Sequence, residues 1–357
     1  MKTLKPLAVS LVLALMPIMG AKASVMEIYV FGDSLSDTGN LLALTAGTVP
    51  PSPPYFDGRA SNGPIWTDSF AADLGLAVNN MWAPGAAPGA GKLNNYAVGG
   101  AFTNQLDLAD TGPVANSNAR LSPLFSGLPG LQQQVGSHAL LPGESNPDAW
   151  YVVWAGANDL IFSFDAMTLP NDTTLVDSAI MNIRDALELL ASDGAEHFLV
   201  PNLPDLGATP FAKGAPAPVS LLLTQGTDLF NQGLAAMLAD VAAAFALDIT
   251  LVDLHAIFDS ILAGLPSTEF PGEGISPLEP PGLGPCFNQE TGMVLCDLTV
   301  AGAGNGNVFW DVVHPSSRTH GLIGDAILAA KISEPAAITL LALGLIGVAY
   351  GSRRRTV

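Results

Sequence analysis

Four short apolar runs punctuate the chain, each followed by small or turn-forming residues. Glu27-Ile28-Tyr29-Val30-Phe31 runs into Gly32-Asp33-Ser34, and Ala149-Trp150-Tyr151-Val152-Val153-Trp154 runs into Gly156-Ala157-Asn158-Asp159. His197-Phe198-Leu199-Val200 leads to Pro201-Asn202-Leu203-Pro204, and a fourth run covers Asp248 to Leu254. These runs are continuous rather than alternating, as expected of strands covered on both faces of a parallel sheet. Helical periodicity separates them. Leu175, Ile180, Ile183, Leu187 and Leu190 share one face at a period of 3.6, with Asp172 or Thr173 as the N-cap and Gly194 past the end. Thr224 to Phe245 is an Ala/Leu-rich helix, and His320 to Lys331 forms the last helix of the core. The alternation predicts an α/β fold, a three-layer α/β/α sandwich on a mostly parallel central sheet. Such sheets gather their sites beyond the C-terminal ends of the strands. No second domain is indicated. The segments 45–65, 79–130 and 264–309 read as long loops decorating one sheet, and no fixed period of 20 to 50 residues suggests a solenoid.

The two ends depart from this pattern. Lys2 and Lys5, the apolar stretch Leu7 to Met19 and the small-residue site Ala21-Lys22-Ala23 follow the order of a secretory signal peptide over residues 1–23. At the other end, Ser333-Glu334-Pro335 precedes the apolar stretch Ala336 to Tyr350 and the cluster Arg353-Arg354-Arg355. Fifteen apolar residues fall short of the roughly 20 that span a bilayer, and the Arg cluster would stay cytoplasmic. A simple tail anchor is the alternative reading of residues 333–357. Either way the core, residues 24–332, is expected outside the cytoplasm.

Charge narrows the function. The 357 residues hold 13 Lys+Arg against 32 Asp+Glu, a net charge of −19. Between Ser24 and Ile332 the basic residues are only Arg59, Lys92, Arg120, Arg184, Lys213, Arg318 and Lys331. Such a chain is not built to neutralise nucleic-acid phosphates or to dock its folded part on anionic headgroups. With 49% hydrophobic and 13% charged residues it is not intrinsically disordered. Cys286 and Cys296 lie in a Gly/Pro-rich segment, and export would let them close a short loop as a disulfide. Two cysteines without a His cluster make a poor zinc site.

Candidate chemistry lies in four short blocks. In Gly32-Asp33-Ser34-Leu35 the serine directly follows a strand, where a turn exposes its hydroxyl and aims its N–H into the same space. In Asn95-Tyr96-Ala97-Val98-Gly99-Gly100 the paired glycines permit close backbone approach, and a Gly N–H suits an oxyanion. In Gly156-Ala157-Asn158-Asp159 the Asn158 amide can supply a further donor. In Asp311-Val312-Val313-His314 the i, i+3 spacing lets the carboxylate hold Nδ1–H and leave Nε2 free as a base. His138, His197, His255 and His320 have no comparable partner and are read as structural. Trp66, Trp82, Phe102, Phe162 and Phe164 lie near these blocks and either line an acyl pocket or anchor the core and loops.

Together, in this order, the four blocks resemble the GDSL, or SGNH, hydrolase family, over Ile28 to about His320. The phrase Asn202-Leu203-Pro204-Asp205-Leu206-Gly207 and the Asn95 block resemble its esterase/lipase branch. The resemblance implies Ser34 as nucleophile, His314 as base and Asp311 as its orienter. It also implies an oxyanion hole of Ser34, Gly100 and Asn158, with Gly100 chosen over Gly99 by its distance after Asn95. It implies no metal or organic cofactor, and a lipid or simple acyl ester as substrate. An O-acetyl esterase acting on polysaccharide and a non-catalytic surface binding protein are the alternatives. No Gly-x-Ser-x-Gly elbow of an ordinary α/β-hydrolase occurs. The C-terminal segment resembles the PEP-CTERM sorting signal of Gram-negative bacteria, with Ser333 in place of the usual first Pro. That resemblance implies an exosortase-type processing partner, transient membrane contact through the tail alone, and a cell-surface or extracellular destination.

Overall fold

The computed structural model describes residues 27–104, 127–141, 145–163, 169, 171–263, 287–288, 293–294 and 307–332. The signal-peptide and sorting-signal expectations, Phe164, Cys286 and Cys296 all lie outside the described residues.

Six parallel strands form the central sheet: β1 (Ile28–Gly32), β2 (Ala77–Asn80), β3 (Lys92–Asn95), β4 (Trp150–Trp154), β5 (His197–Pro201) and β6 (Asp248–Val252), in the order β2-β3-β1-β4-β5-β6. Helices cover both faces. On one side Leu131–Ala139, Thr174–Ser192 and Val219–Phe245 pack side by side, and elsewhere Trp66–Asp73 packs on Ser317–Ile332. This is the α/β sandwich expected from the alternation. Every residue of β1 and β4 is buried, because these strands are central and covered from both sides. Complete burial of side chains such as Phe31, Tyr151 and Trp154 is the main stabilising term, at about 1.5–3 kcal/mol for a large apolar side chain.

The Thr174–Ser192 helix buries Leu175, Val176, Ala179, Ile180, Ile183, Ala186, Leu187 and Leu190, the stripe that a 3.6 period produces. Thr173 sits at its N-cap, while Asp172 Oδ1 accepts the Thr174 N–H at 3.0 Å.

Several sequence expectations need correction. β6 is exposed or half-buried except at Val252, with Leu251 38% exposed, because it is the edge strand and nothing pairs with its outer side among the described residues. It also ends at Val252, since the Asp253 carboxylate accepts the Ala256 N–H and starts the helix Leu254–Leu262. The segment 79–130 is not all loop. It holds β3 and the end of β2, which are only four residues long and rich in Asn. Within 264–309, β7 (Phe287–Asn288) and β8 (Met293–Val294) pair antiparallel. The helix expected from Thr224 begins at Val219, and the one expected from His320 begins at Ser317.

The chain order reverses around β1. Its connection leads outward to β2, whereas β4, on its other side, leads on to β5. Sheets of this kind leave a crevice beyond the C-terminal ends of the strands at such a switch point. The ends of β3, β1 and β4 therefore deliver the Gly99-Gly100 loop, the Ser34 turn and Asn158 to neighbouring positions.

Candidate active site

Ser34 leaves the sheet at Gly32, where β1 runs tightly against β4. A Cβ at Gly32 would come within 2.2 Å of the Trp154 carbonyl oxygen, so the close approach excludes any larger residue. The Gln134 side chain, from the helix beneath, holds both polar groups of Gly32. Oε1 accepts the Gly32 N–H at 2.9 Å and Nε2 donates to its carbonyl at 2.8 Å. Asp33 then closes the turn, its Oδ1 accepting the Leu35 N–H at 3.0 Å. Ser34 is left half-buried at the cleft.

The turn Asp311–His314 supplies the facing group. Asp311 is fully buried. Its Oδ1 accepts the N–H groups of Val313 and His314 at 2.9 and 2.7 Å, which fixes the turn. Its Oδ2 lies 2.7 Å from His314 Nδ1, and His314 Nε2 lies 2.8 Å from Ser34 Oγ. The chain thus brings together Ser34, His314 and Asp311 from positions 280 residues apart. Burial by itself would raise the Asp311 pKa, but the facing imidazole and the bonds from His314 and Tyr55 outweigh it and hold the carboxyl below its ordinary value. Burial by itself would lower that of His314. The charge and hydrogen bond of Asp311, with Asp33 behind, outweigh it and raise it. Asp33 itself is pushed up to about 6 by burial.

Two loops face Ser34 with N–H groups. Asp37, buried, accepts from Gly39 and Asn40 at Oδ1 and from Leu41 and Gly99 at Oδ2, at 2.6–3.0 Å. The Gly99 N–H is therefore already bonded, at 2.8 Å. Gly100, at φ +79, lines the cleft, and its N–H has no acceptor among the described residues. Asn40 Nδ2 donates to the carbonyls of Asn95 and Ala97, and Asn95 Nδ2 donates to Ser36 O and Thr38 Oγ1, stitching the Ser34 turn to the glycine loop. Asn158 also lines the cleft, one amide hydrogen donated to Ala101 O at 2.9 Å and the other available. The next residue, Asp159, accepts from Thr103 N–H and Oγ1, clamping the far end of the same loop. Burial pushes the Asp159 pKa up to about 7.

The cleft above these groups has a volume of about 890 Å³. Its walls are mainly apolar, including Leu41, Ile161, Phe162, Phe211, Phe258 and Leu262. Of the aromatic candidates, Phe162 lines it. Trp66 does not: it is fully buried, and its Nε1 donates to Ser36 Oγ at 3.2 Å, supporting the turn from below. Trp82 packs against the core with Nε1 bonded to Tyr96 O, and Phe102 is buried beside Phe162. Trp66, Trp82 and Phe102 thus take the anchoring role, and Phe162 the lining one. Tyr55, which the sequence did not single out, donates to Asp311 Oδ2 at 2.6 Å. His197 and His255 do have carboxylate partners: Asp248 on the neighbouring strand at 3.0 Å for the first, Asp259 at 3.5 Å and Asp228 at 3.7 Å for the second. His138 bonds Ser145 Oγ, and His320 is buried, its pKa lowered to about 3 by desolvation first and by His314. No cluster fit to hold a metal ion occurs among the described residues.

The chain is similar to known proteins. The family model described as GDSL-like Lipase/Acylhydrolase matches residues 28–327. A phosphatidylcholine-sterol acyltransferase of Aeromonas hydrophila is 31% identical over 191 residues, covering 52% of this chain and 47% of that protein. A thermolabile hemolysin of Vibrio parahaemolyticus is 25% identical over 310 residues, covering 85% of this chain and 63% of that protein. A GDSL esterase/lipase of Arabidopsis thaliana is 25% identical over 339 residues, covering 86% and 89%. The chain thus spans about half the length of the first relative and less than two thirds of the second.

Proposed function

Because the chain belongs to the GDSL-like lipase/acylhydrolase family, we propose that it is a serine hydrolase of carboxylic esters, with a lipid or simple acyl ester as substrate. The observation that carries this reading is the run of short contacts from Ser34 Oγ to His314 to Asp311 beneath an apolar cleft.

In this reading His314 Nε2 takes the Ser34 proton as Oγ attacks the ester carbonyl. Asp311 holds Nδ1–H and stabilises the imidazolium that forms. The oxyanion meets the N–H groups of Ser34 and Gly100 and the free amide hydrogen of Asn158. His314 then protonates the leaving alcohol. Water, activated by the same imidazole, attacks the acyl-enzyme, and the carboxylic acid leaves. No cofactor takes part in these steps. The apolar walls suit an acyl chain, and similarity to a phosphatidylcholine-sterol acyltransferase and to a GDSL esterase/lipase favours lipid esters.

The same proposal places the enzyme outside the cytoplasm. Residues 1–23 would be removed as a signal peptide, Cys286 and Cys296 would pair after export, and residues 333–357 would hold the protein at the membrane until an exosortase-type enzyme processes it. Hydrolysis of p-nitrophenyl esters from acetyl to palmitoyl, with Ser34→Ala alongside, tests the activity. Turnover that grows with chain length and vanishes in the variant is expected. Preference for acetyl alone would favour the polysaccharide O-acetyl esterase, and turnover that persists in pure Ser34→Ala would refute the nucleophile.

A further inference from the structure

The Asp311 carboxylate has a donor that comes from far away in the chain. The Tyr55 phenol donates to Oδ2 at 2.6 Å, the same oxygen that faces His314 Nδ1 at 2.7 Å. Tyr55 is buried, and its ring meets Trp310 edge-on at 6.5 Å, one residue before that carboxylate. The segment that carries it is also a wall of the cleft, through Val49, Pro50, Pro51, Tyr55 and Gly58.

The chain shortly after Tyr55 has docking bonds of its own, independent of the phenol. Ser61 Oγ donates to Pro315 O at 2.9 Å, the Ser317 N–H to Asn62 Oδ1 at 2.8 Å, and Ser317 Oγ to Pro64 O at 2.7 Å. Three other bonds thus fasten residues 61–64 to the chain just after His314. The phenol O–H, placed on the one carboxylate oxygen that the imidazole uses, has a different consequence: it divides the negative charge of Oδ2 between two donors.

We infer that Tyr55 is a positioning residue for the His314–Asp311 pair, joining the substrate-lining wall to the carboxylate and setting how much of its charge the imidazole receives. The inference rests on the proposed serine-hydrolase reading of the same site. Among the described residues, the titratable groups that act on His314 are Asp311 on its own turn, Asp33 at the end of β1 and His320 on the Ser317–Ile332 helix. The Tyr55 phenol brings its O–H to Asp311 Oδ2 from outside the turn, whereas the Val313 and His314 N–H groups reach Oδ1 from within it. Losing that O–H leaves Asp311 more charge to offer the imidazole, so His314 holds its proton to higher pH.

The test is an NMR titration of the His314 ring in the full chain, with kinetics alongside. In Tyr55→Phe the His314 midpoint should rise by about half a pH unit or more. The acid limb of kcat/KM should move with it, and kcat should fall about threefold to tenfold with KM little changed. In an Asp311→Asn background the same Tyr55→Phe change should leave the midpoint where it is, because the shared charge is gone. A Tyr55→Phe protein of unchanged fold whose His314 midpoint stays at the wild-type value overturns the inference. Because the midpoint is read without turnover, it decides the role of Tyr55 even if hydrolysis proves independent of Ser34. That second result would defeat the serine-hydrolase reading instead.

Discussion

Replacing Asn158 by Ala would remove two things at once, and their magnitudes can be separated. One amide hydrogen is committed to Ala101 O at 2.9 Å in a buried setting. Its loss leaves that carbonyl without its partner and costs about 1–3 kcal/mol of stability. Asp159 still holds Thr103 two residues further along, so the loop carrying Gly100 stays tethered and the fold survives. The other amide hydrogen is the proposed oxyanion donor. A single lost donor of this kind lowers turnover about 10²–10³-fold, or about 2.7–4 kcal/mol of transition-state stabilisation. Because the charge it meets exists only in the transition state, kcat should carry the loss and KM should change little. Steady-state kinetics on p-nitrophenyl butyrate, paired with a urea melt, separates the two effects. An Asn158→Ala protein with kcat within about threefold of wild type would remove Asn158 from the oxyanion hole, and a loss found mainly in KM would make it a ground-state binding residue.

Two further outcomes follow from the electrostatics. The Asp311 carboxylate raises the His314 pKa, and only neutral imidazole can take the Ser34 proton, so kcat/KM should climb through a midpoint above the ordinary His value of about 6.5. A pH profile with its acid limb below that value would contradict the coupling. The titratable residues lining the cleft are Asp33, Asp37, Tyr55, Asp205 and His314, with no Lys or Arg among the described lining. A substrate carboxylate about 8 Å from one such Asp would be repelled by about 2 kcal/mol at an effective dielectric constant of about 20. A p-nitrophenyl monoester of glutarate should therefore react at least tenfold more slowly than the butyrate ester, by about that energy, and equal rates would mean that the field inside the cleft is not negative.

How much of this was legible in the sequence depends on where each determinant lies. β1, β4 and β5 could be read because central strands must be apolar on both faces. β2 and β3 could not, since Asn79, Asn94 and Asn95 spend their side chains on hydrogen bonds to one another and to loops, and give no apolar signal. β6 could be read as a strand, yet its exposure depends on its place in the sheet order, which composition does not encode. The Ser34 and Asp311–His314 blocks are visible because each is a few residues long with its chemistry in local spacing. The choice of Gly100 over Gly99 rests on its distance after Asn95, and the bond from Gly99 to Asp37, a contact across 62 residues, gives it a physical reason that no local pattern carries. Tyr55 meets Asp311 across 256 residues, and no local pattern announces such a contact.

The central claim is that Ser34 is a nucleophile activated by His314. The most direct measurement is intact-mass and peptide analysis of the protein after treatment with a p-nitrophenyl alkylphosphonate. A single adduct on Ser34, formed faster as pH rises through the His314 midpoint and absent in Ser34→Ala and His314→Ala, is the predicted result. An unmodified Ser34 in folded wild-type protein, or an adduct on another residue, would contradict it.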